Sequence, residues 1–352
     1  MAEQRTFISR AIAQAPFYVG IDIGGGTIKG GVVDDRGEPL SFARIQTEVE
    51  KGGEDACRRV AKMIADVISQ AELTKTEISA VGVGCPGPMD IPRGKLLEPI
   101  NLKGWEEFPV RDRIIHHSGM PVTFNNDANA AAYGEFWVGS GKQFSSLILL
   151  TLGTGVGGGI IIDHLSIDGE HSHGGELGHI IIDPHENART DNRGYRGHLE
   201  AYASATAVIK RTKEALDTGR ASSLKARLER GELLTPIMVG EEAERGDPLA
   251  LEIVLETARY LGIGITTLCH TIDPAAVIIG GAMTFGRNKT PIGRRFLARI
   301  QEEVQRLAFP QVAQNVKILY GSLGGDAGFI GAAGLARLGY RQSATALGPI
   351  SE

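Results

Sequence analysis

The sequence predicts an α/β protein with mixed sheets, built as two related lobes. Segments with the patterns of strands and helices alternate along the chain, which is typical of α/β folds. Two stretches, 17–47 and 145–163, each contain consecutive short strands joined by glycine turns. A gap-free internal repeat matches Ile23–Asp34 with Leu152–Asp163. The repeat indicates that each lobe presents one glycine hairpin to a shared ligand.

The first part of the chain begins with a predicted β-meander, whose second turn is Asp-Asp-Arg-Gly at 34–37. Apolar residues at helical spacing then predict an amphipathic helix over 54–71. Residues 78–90 combine a buried strand with a proline-glycine loop, and residues 121–139 a short strand with an alanine-rich helix. The predicted order is therefore meander, helix, strand, strand and helix.

The second part of the chain repeats this alternation. Strand, glycine turn and strand are predicted over 145–163, followed by helices over 199–216 and 247–272. A strand over 274–283 comes next, and the last predicted elements are a helix over 291–307, a strand over 316–322 and a helix over 326–339.

The predicted division of the chain follows from this element order. We expect a flexible tail over residues 1–16, because this segment has no pattern of its own. The first lobe is then predicted over 17–140, completed by the closing helix 326–340, and the second lobe over 141–325.

Composition excludes several classes of function. The chain has 352 residues, with 37 Lys and Arg against 42 Asp and Glu, a formal charge of −5. A mildly acidic chain is a poor partner for nucleic acid or a membrane surface, which attract clustered positive charge. Cys57, Cys85 and Cys269 are far apart, so no disulfide framework or metal knuckle is predicted. No secretory segment is visible either, and we expect a cytoplasmic location.

Common nucleotide motifs do not explain the glycine loops. The run Gly153–Gly158 matches the GxGxxG pattern, but a strand follows it where a dinucleotide fold requires a helix. A phosphate loop of the Walker type is also excluded, because Gln143 follows Gly141-Lys142. Glycine turns expose consecutive backbone N–H groups that bind phosphate. The remaining interpretation is a phosphate group held by two hairpins, one from each lobe.

Five ordered motifs resemble those of the ROK family (repressor, open reading frame, kinase). The resemblance spans Phe17 to Leu338, and its motifs are Asp22–Lys29, Cys85–Asp90, Asn125–Ala130, Leu152–Gly155 and Gly175–His179. It implies a two-lobed actin-like ATPase (ribonuclease H-like) fold with ATP, Mg²⁺ and a sugar meeting between the lobes. It further implies a glucokinase-type enzyme that phosphorylates glucose to glucose 6-phosphate, and a homodimer as assembly.

The candidate catalytic residue is Asp127, at a predicted strand-to-helix junction. A carboxylate at such a junction can face a cleft, but Asn126 or Asp127 could equally cap the helix. The resemblance places the catalytic base on Asp127 and a sugar ligand on Asn126. The other sugar ligands that it implies are Gly87, Glu176, His179 and Glu200.

The resemblance also implies the residues around the nucleotide. It places Asp22 near Mg²⁺, with water between them, and phosphate contacts on the two hairpins. The implied nucleotide-binding residues are Gly24, Gly25, Gly26, Thr27, Lys29, Gly153, Thr154 and Gly155, with Gly280 and Gly281 under the adenosine. An additional glycine, Gly26, precedes Thr27 here and changes the usual spacing of the family.

A departure from the family pattern concerns zinc. Most members follow the Gly-His segment with a cysteine-rich zinc knuckle, and here Asp191, Arg193 and His198 stand where its three thiols would be. Six of the nine histidines lie between His164 and His198, which leaves a His/Asp metal site open. We nevertheless expect no structural zinc, with Asp191 and Arg193 holding the loop.

Two alternatives remain open at this point. The sugar could be mannose, fructose, N-acetylmannosamine or N-acetylglucosamine, and polyphosphate could replace ATP. The protein could also be a sugar-sensing regulator without catalysis, since some ROK members carry a helix-turn-helix. We expect an enzyme, because 16 residues precede Phe17, no basic recognition helix is visible, and all the candidate acidic residues are present.

Overall fold

Two mixed five-stranded sheets organise the protein in a computed structural model, which describes residues 5–346. A two-stranded β-ribbon accompanies them. The strands are β1 Phe17–Ile23, β2 Thr27–Val33, β3 Ala43–Gln46, β4 Ile78–Cys85, β5 Met89–Asp90, β6 Lys95–Leu96, β7 Val122–Asn126, β8 Leu147–Leu152, β9 Val156–Ile162, β10 Leu165–Ser166, β11 Ala276–Gly281 and β12 Lys317–Tyr320.

Helices connect and cover these strands. Three of them start with a proline in the first turn and a capping side chain: Thr235, Asp247 and Thr290 accept hydrogen bonds from backbone N–H groups. The helices are α1 Gly52–Gln70, α2 Val110–Ser118, α3 Asp127–Trp137, α4 Glu200–Ala203, α5 Ala205–Asp217, α6 Ser223–Glu229, α7 Pro236–Glu244, α8 Pro248–Ile272, α9 Pro291–Leu307, α10 Pro310–Asn315 and α11 Ala327–Ala346.

The two large sheets share one strand pattern. The first has the order β3-β2-β1-β4-β7, and the second the order β10-β9-β8-β11-β12. In each, an antiparallel hairpin (β1–β2 or β8–β9) is extended by two parallel strands. The sequence repeat falls on these two hairpins, so the repeated sequence corresponds to a repeated position in each sheet.

The chain passes between the sheets twice. The first connection runs from β7 through α3 and residues 138–146 to β8, and the second is residues 321–326, between β12 and α11. Helix α11 then packs against β1, β4 and α3. Its approach is close, because a Cβ on Gly331 would lie 1.6 Å from the carbonyl oxygen of Ala130. The closing helix therefore packs against the first sheet.

The N-terminal segment corrects one expectation. Residues 5–16 are not the free tail that the sequence predicts, since they are bonded to the first sheet and to the second connection. Arg5 forms an ion pair with Asp326 at 2.7 Å, and the N–H of Ile8 donates to the carbonyl of Pro39 at 3.0 Å. Residues 1–4, the rest of the expected tail, lie outside the described residues.

Several short elements have no clear signal in the sequence. Helices α2, α6, α7 and α10 span only nine, seven, nine and six residues, too few for a strong periodic pattern.

No helix within residues 5–346 has the length and apolar character needed to cross a membrane.

Candidate active site

Asp127 lies at the point where β7 ends and α3 begins. The side chain of Asn126 caps α3, because its Oδ1 accepts the N–H of Ala128 at 2.8 Å and that of Asn129 at 3.3 Å. Oδ1 of Asp127 also accepts the N–H of Ala128, at 2.8 Å. The two roles that the sequence left open therefore fall on neighbouring residues: Asn126 caps the helix, and Asp127 faces a cavity.

A polar cavity of about 320 Å³ brings together all six candidate sugar ligands. It lies where the carboxyl ends of β7 and β8 meet the loop after β10, between the two sheets. The candidates that line it are Gly87, Asn126, Asp127, Glu176, His179 and Glu200. We name it the polar pocket.

Glu200 connects the polar pocket with the second glycine hairpin. Its side chain is buried, and Oε2 accepts the N–H of Val156 at 2.9 Å. A Cβ on Gly155 would lie 2.2 Å from the same oxygen. Only glycine lets the hairpin approach this carboxylate so closely, so Gly155 and Glu200 fix each other's position.

Several residues of the polar pocket were not identified from the sequence. Ser172 and Arg193 also line it, and Oγ of Ser172 accepts the N–H of Ile91 at 3.0 Å. Nothing in the sequence around Ser172 signals a site, and the sequence predicts Arg193 only as a support of its loop.

A cluster of two buried asparagine amides and one half-buried carboxylate supports the loop that carries Glu176. Asp168 accepts hydrogen bonds from Nδ2 of Asn125 at 3.1 Å and from Nδ2 of Asn129 at 2.9 Å. Both asparagines belong to the motif around Asp127, and both are buried. The motif thus positions the loop as well as Asp127 itself, which explains its three asparagines.

A second cavity, of about 570 Å³, lies on the other side of Asp127. Asp22, Lys29, Gly280 and Gly281 line it. Nζ of Lys29 lies 3.6 Å from Oδ2 of Asp22 and donates to the carbonyl of Gly325 at 2.9 Å. We name it the acidic cavity.

The turn Gly24–Thr27 does not line either cavity. A Cβ on Gly25 would lie 2.8 Å from the carbonyl oxygen of Asn101, and Oγ1 of Thr47 donates to the carbonyl of Gly24 at 2.5 Å. The role of Gly24, Gly25, Gly26 and Thr27 at phosphate therefore stays a prediction. Arg287, which the sequence did not single out, lines the acidic cavity instead.

A third cavity, of about 450 Å³, is mainly apolar. Its lining includes the apolar side chains of Pro236, Ile237, Met283, Phe285 and Ile292. Gly153 and Thr154 line both this apolar cavity and the polar pocket, and Ala282 lines all three cavities. The second hairpin therefore stands where the three cavities meet.

The electrostatics around Asp127 are unusual. Burial raises the pKa of Asp127 to about 7, the negative charges of Asp22 and Glu176 add to the rise, and the N–H of Ala128 opposes it. Burial also raises the pKa of Asp22, against the effect of Lys29. Asp127 is therefore a much weaker acid than an ordinary aspartate.

The acidic cavity has the donor chemistry for Mg²⁺. This ion prefers oxygen ligands and usually takes one or two carboxylates together with phosphate and water. Asp22 offers a carboxylate in this cavity, and Lys29 adds a positive charge beside it. The residues present fit a magnesium ion with phosphate.

The zinc knuckle of the family has a different chemistry here. Nδ1 of His198 lies 2.8 Å from Oδ2 of Asp191, Nδ1 of His179 lies 3.3 Å from the same oxygen, and the two nitrogens are 3.1 Å apart. These three atoms are close enough to share a cation. Arg193 stands at the remaining thiol position, and its positively charged guanidinium group does not bind a metal ion. The set lacks every thiolate and a fourth donor, and it does not fit the four-ligand structural site.

Hydrogen bonds to Asp191 organise this loop directly. Its carboxylate also accepts the N–H groups of Arg193 and Tyr195, both at 2.9 Å. Burial raises the pKa of Asp191, but the hydrogen bonds from His198 and from these two N–H groups outweigh it and lower the pKa. Asp191 and His198 thereby orient the ring of His179, whose Nε2 lies 3.9 Å from Oε2 of Glu176.

We predict that the purified protein carries far less than one zinc per chain. All three thiolates of the four-ligand family site are missing, and tight tetrahedral binding depends on them. Elemental analysis measures the zinc content per chain. Activity after chelation and re-addition of Mg²⁺ alone shows whether the protein needs zinc. His198→Ala should then reduce stability only modestly. Stoichiometric zinc, with activity that is lost on stripping and restored by Zn²⁺, would contradict the prediction.

The fold and the site define a class of protein. Two related α/β lobes with a polar pocket between them form the actin-like ATPase fold, here with mixed sheets. The chain belongs to the ROK family, whose model matches residues 18–338.

Relatives and solved structures agree with this assignment. A glucokinase of Halalkalibacterium halodurans is 33% identical over 90% of this chain and 93% of its own length. The ROK hexokinase of Thermus thermophilus has a TM-score of 0.77 at 30% identity, covering 93% of this chain and 99% of that one. A ROK glucokinase of Streptomyces griseus, solved with glucose and AMPPNP, has a TM-score of 0.71 at 30% identity, covering 92% and 99%. These relatives support sugar kinase activity.

Proposed function

We propose that the protein transfers the γ-phosphoryl group of ATP to the 6-hydroxyl of glucose, with Asp127 as the general base. The observation that carries this proposal is the position of Asp127. It lies between a polar pocket with five further candidate sugar ligands and an acidic cavity suited to Mg²⁺ and phosphate. The glucokinase relatives support glucose as the substrate.

The polar pocket supplies the binding groups for a sugar. Carboxylates of Glu176 and Glu200 accept hydrogen bonds from hydroxyl groups, whereas His179 and the amide of Asn126 can donate them. A pocket that pairs each hydroxyl discriminates against analogues that lack one. Glu200 serves this pocket and the hairpin at once, so sugar binding and phosphate positioning depend on the same carboxylate.

The donor nucleotide is proposed to occupy the two other cavities. The apolar walls of Ile237, Met283 and Phe285 suit the purine ring, and the backbone of Gly153 and Thr154 suits the phosphate chain. Lys29 neutralises charge in the acidic cavity, where Asp22 would hold Mg²⁺ through water. When bound, this ion neutralises charge on the phosphate oxygens.

Asp127 is proposed to take the proton of the attacking hydroxyl. A new bond forms between the sugar oxygen and the γ-phosphorus, the bond from this phosphorus to ADP breaks, and the hydroxyl proton passes to the carboxylate. General bases act best when their pKa lies near the working pH. The raised pKa of Asp127, at about 7, meets this condition.

The pH dependence of kcat/KM should report this base. Below pH 7 Asp127 becomes protonated and cannot accept the proton, so kcat/KM should fall about tenfold per pH unit. Above pH 7 it should level off. Initial rates from pH 5 to 9, with a coupling system that is not limiting at any pH, measure the profile. A flat profile between pH 5 and 7 would contradict the role of an ionised Asp127.

A panel of sugars and donors tests the function as a whole. We expect kcat/KM to be highest for glucose with ATP and Mg²⁺, measured by ADP release, against mannose, fructose, N-acetylmannosamine and N-acetylglucosamine. Polyphosphate in place of ATP tests the other donor. A higher kcat/KM for another sugar would contradict glucose as the preferred substrate.

A regulator without catalysis is the second candidate, because a xylose repressor of Caldicellulosiruptor bescii is 30% identical over 85% of this chain and 73% of its own length. Sugar binding without turnover of any donor in the panel would favour this candidate over the proposed kinase.

A further inference from the structure

Glu135, on α3, is a buried carboxylate that the proposed reaction does not use. Its side chain is 2% exposed, and it lies at the point where the first and second connections come together. Both connections contribute backbone N–H groups to it. One charged group therefore contacts the two segments through which the chain passes between the sheets.

The first connection binds this carboxylate through Ser140. The N–H of Ser140 donates to Oε2 of Glu135 at 2.9 Å, and the N–H of Gly141 donates to the carbonyl of Glu135 at 2.8 Å. A Cβ on Gly139 would lie 2.1 Å from Oε2. Glycine is therefore needed at 139 for the chain to pass this close to the carboxylate.

The second connection binds the same carboxylate in a similar way. The N–H of Ser322 donates to Oε2 at 3.0 Å, and the N–H of Leu323 donates to Oε1 at 2.8 Å. A Cβ on Gly321 would lie 2.6 Å from Oε1. The two connections are also bonded directly, since Oγ of Ser140 donates to the carbonyl of Tyr320 at 2.9 Å.

We propose that Glu135 is the fixed point of the hinge between the lobes, holding the two connections together while the lobes turn about it. Hydrogen bonds to an ionised acceptor are stronger than neutral ones, and buried N–H groups are costly to leave unpaired. The three N–H groups therefore stay on the carboxylate. Rotation falls on the neighbouring residues, where Gly324 has a positive φ of 59° and Gly325 follows.

The hinge also reaches the proposed chemistry. Glu135 lines the acidic cavity together with Asp22 and Asp127. Closure of the lobes on a sugar would exclude water from this region, a step that rests on the proposed function. Glu135 acts here as a positioning residue, since its carboxylate is occupied by backbone N–H groups.

Hydrogen exchange of the unliganded protein tests whether Glu135 holds the two connections together. Glu135→Gln should raise amide exchange about tenfold or more at both 139–141 and 321–323 together, because the amide binds N–H groups less strongly than the carboxylate. Gly321→Ala pushes on the same carboxylate from the second connection and should produce the same joint rise, including at 139–141. Glu303→Gln is the matched control, because Glu303 is equally buried but is bonded to Arg299 and Arg306 on α9.

Closure and turnover provide the second readout. Saturating glucose should reduce the radius of gyration of the wild type and of Glu303→Gln, measured by small-angle scattering, but less in Glu135→Gln. Glu135→Gln should also change kcat and KM together, as hinge substitutions often do, with kcat lower by about tenfold. Exchange that rises at one connection only, or at neither, would overturn the proposal, as would closure and turnover like the wild type in Glu135→Gln. A wild type that phosphorylates no sugar would instead contradict the proposed function. The exchange experiment would still show whether Glu135 holds the two connections together.

Discussion

Asp127→Asn should lower kcat by about 10²–10⁴-fold, the usual contribution of a general base, while glucose still binds. The amide has nearly the shape of the carboxylate and can still accept the N–H of Ala128, but it cannot take the proton of the sugar hydroxyl. Steady-state kinetics and isothermal titration of glucose measure the two effects separately. Asp112→Asn, at an exposed site on α2, is the matched control and should leave both unchanged.

Stability provides an independent check on the same variant. The pKa of Asp127 in the folded protein is raised to about 7 from an ordinary value near 3.8, so its ionised form is disfavoured in the fold. This penalty builds up as the pH rises from about 4 to 7 and is complete above pH 7. Asp127→Asn should therefore raise Tm at pH 8 and have less effect at pH 4.

For the kinetic prediction, a kcat of Asp127→Asn within threefold of the wild-type value would remove Asp127 from the mechanism.

Gly155→Ala should weaken glucose binding about 10–100-fold, the range for losing a hydrogen bond to a charged group. The new Cβ would lie 2.2 Å from Oε2 of Glu200, so the carboxylate or the hairpin must move. Either movement disturbs the bond from the N–H of Val156 and displaces a proposed sugar ligand. Titration of glucose without nucleotide measures this effect apart from any contact with phosphate.

The same hairpin offers a matched control. A Cβ on Gly153 would meet no protein atom within 4 Å, so Gly153→Ala should leave the bond between Val156 and Glu200 intact and should weaken glucose binding much less than Gly155→Ala. Equal glucose affinity in Gly155→Ala and the wild type, with both proteins folded, would contradict the coupling of the hairpin to the sugar through Glu200.

Much of the architecture could be predicted because it depends on local patterns. The two hairpins have a repeated glycine turn, β-branched strands and a terminal Asp, and these features recur at equivalent positions in the two sheets. The long helices α8 and α9 have 25 and 17 residues, enough turns to define an apolar face. Helices α6 and α7 are too short for that, and a two-residue strand such as β5 has no period at all.

The contacts within the site could not be predicted, because they join residues far apart in the chain. Asp168 supports Asn125 and Asn129 from 43 and 39 residues away, and Glu135 accepts N–H groups from 187 and 188 residues away. The N-terminal segment was missed for the same reason, since its partners are distant and its own pattern is weak. The contacts of the Gly24–Thr27 turn with Asn101 and Thr47 are likewise distant in sequence, and the role of this turn at phosphate stays a prediction.

Phosphorus NMR of the complete reaction tests the central claim most directly. Purified protein with glucose, ATP and Mg²⁺ should produce glucose 6-phosphate and ADP in equal amounts. Inorganic phosphate should form no faster than it does by hydrolysis of ATP without glucose. The same mixture with Asp127→Asn should show almost no sugar phosphate over the same time. Release of inorganic phosphate in place of a sugar phosphate, or formation of glucose 6-phosphate by Asp127→Asn at the rate of the wild type, would contradict the account.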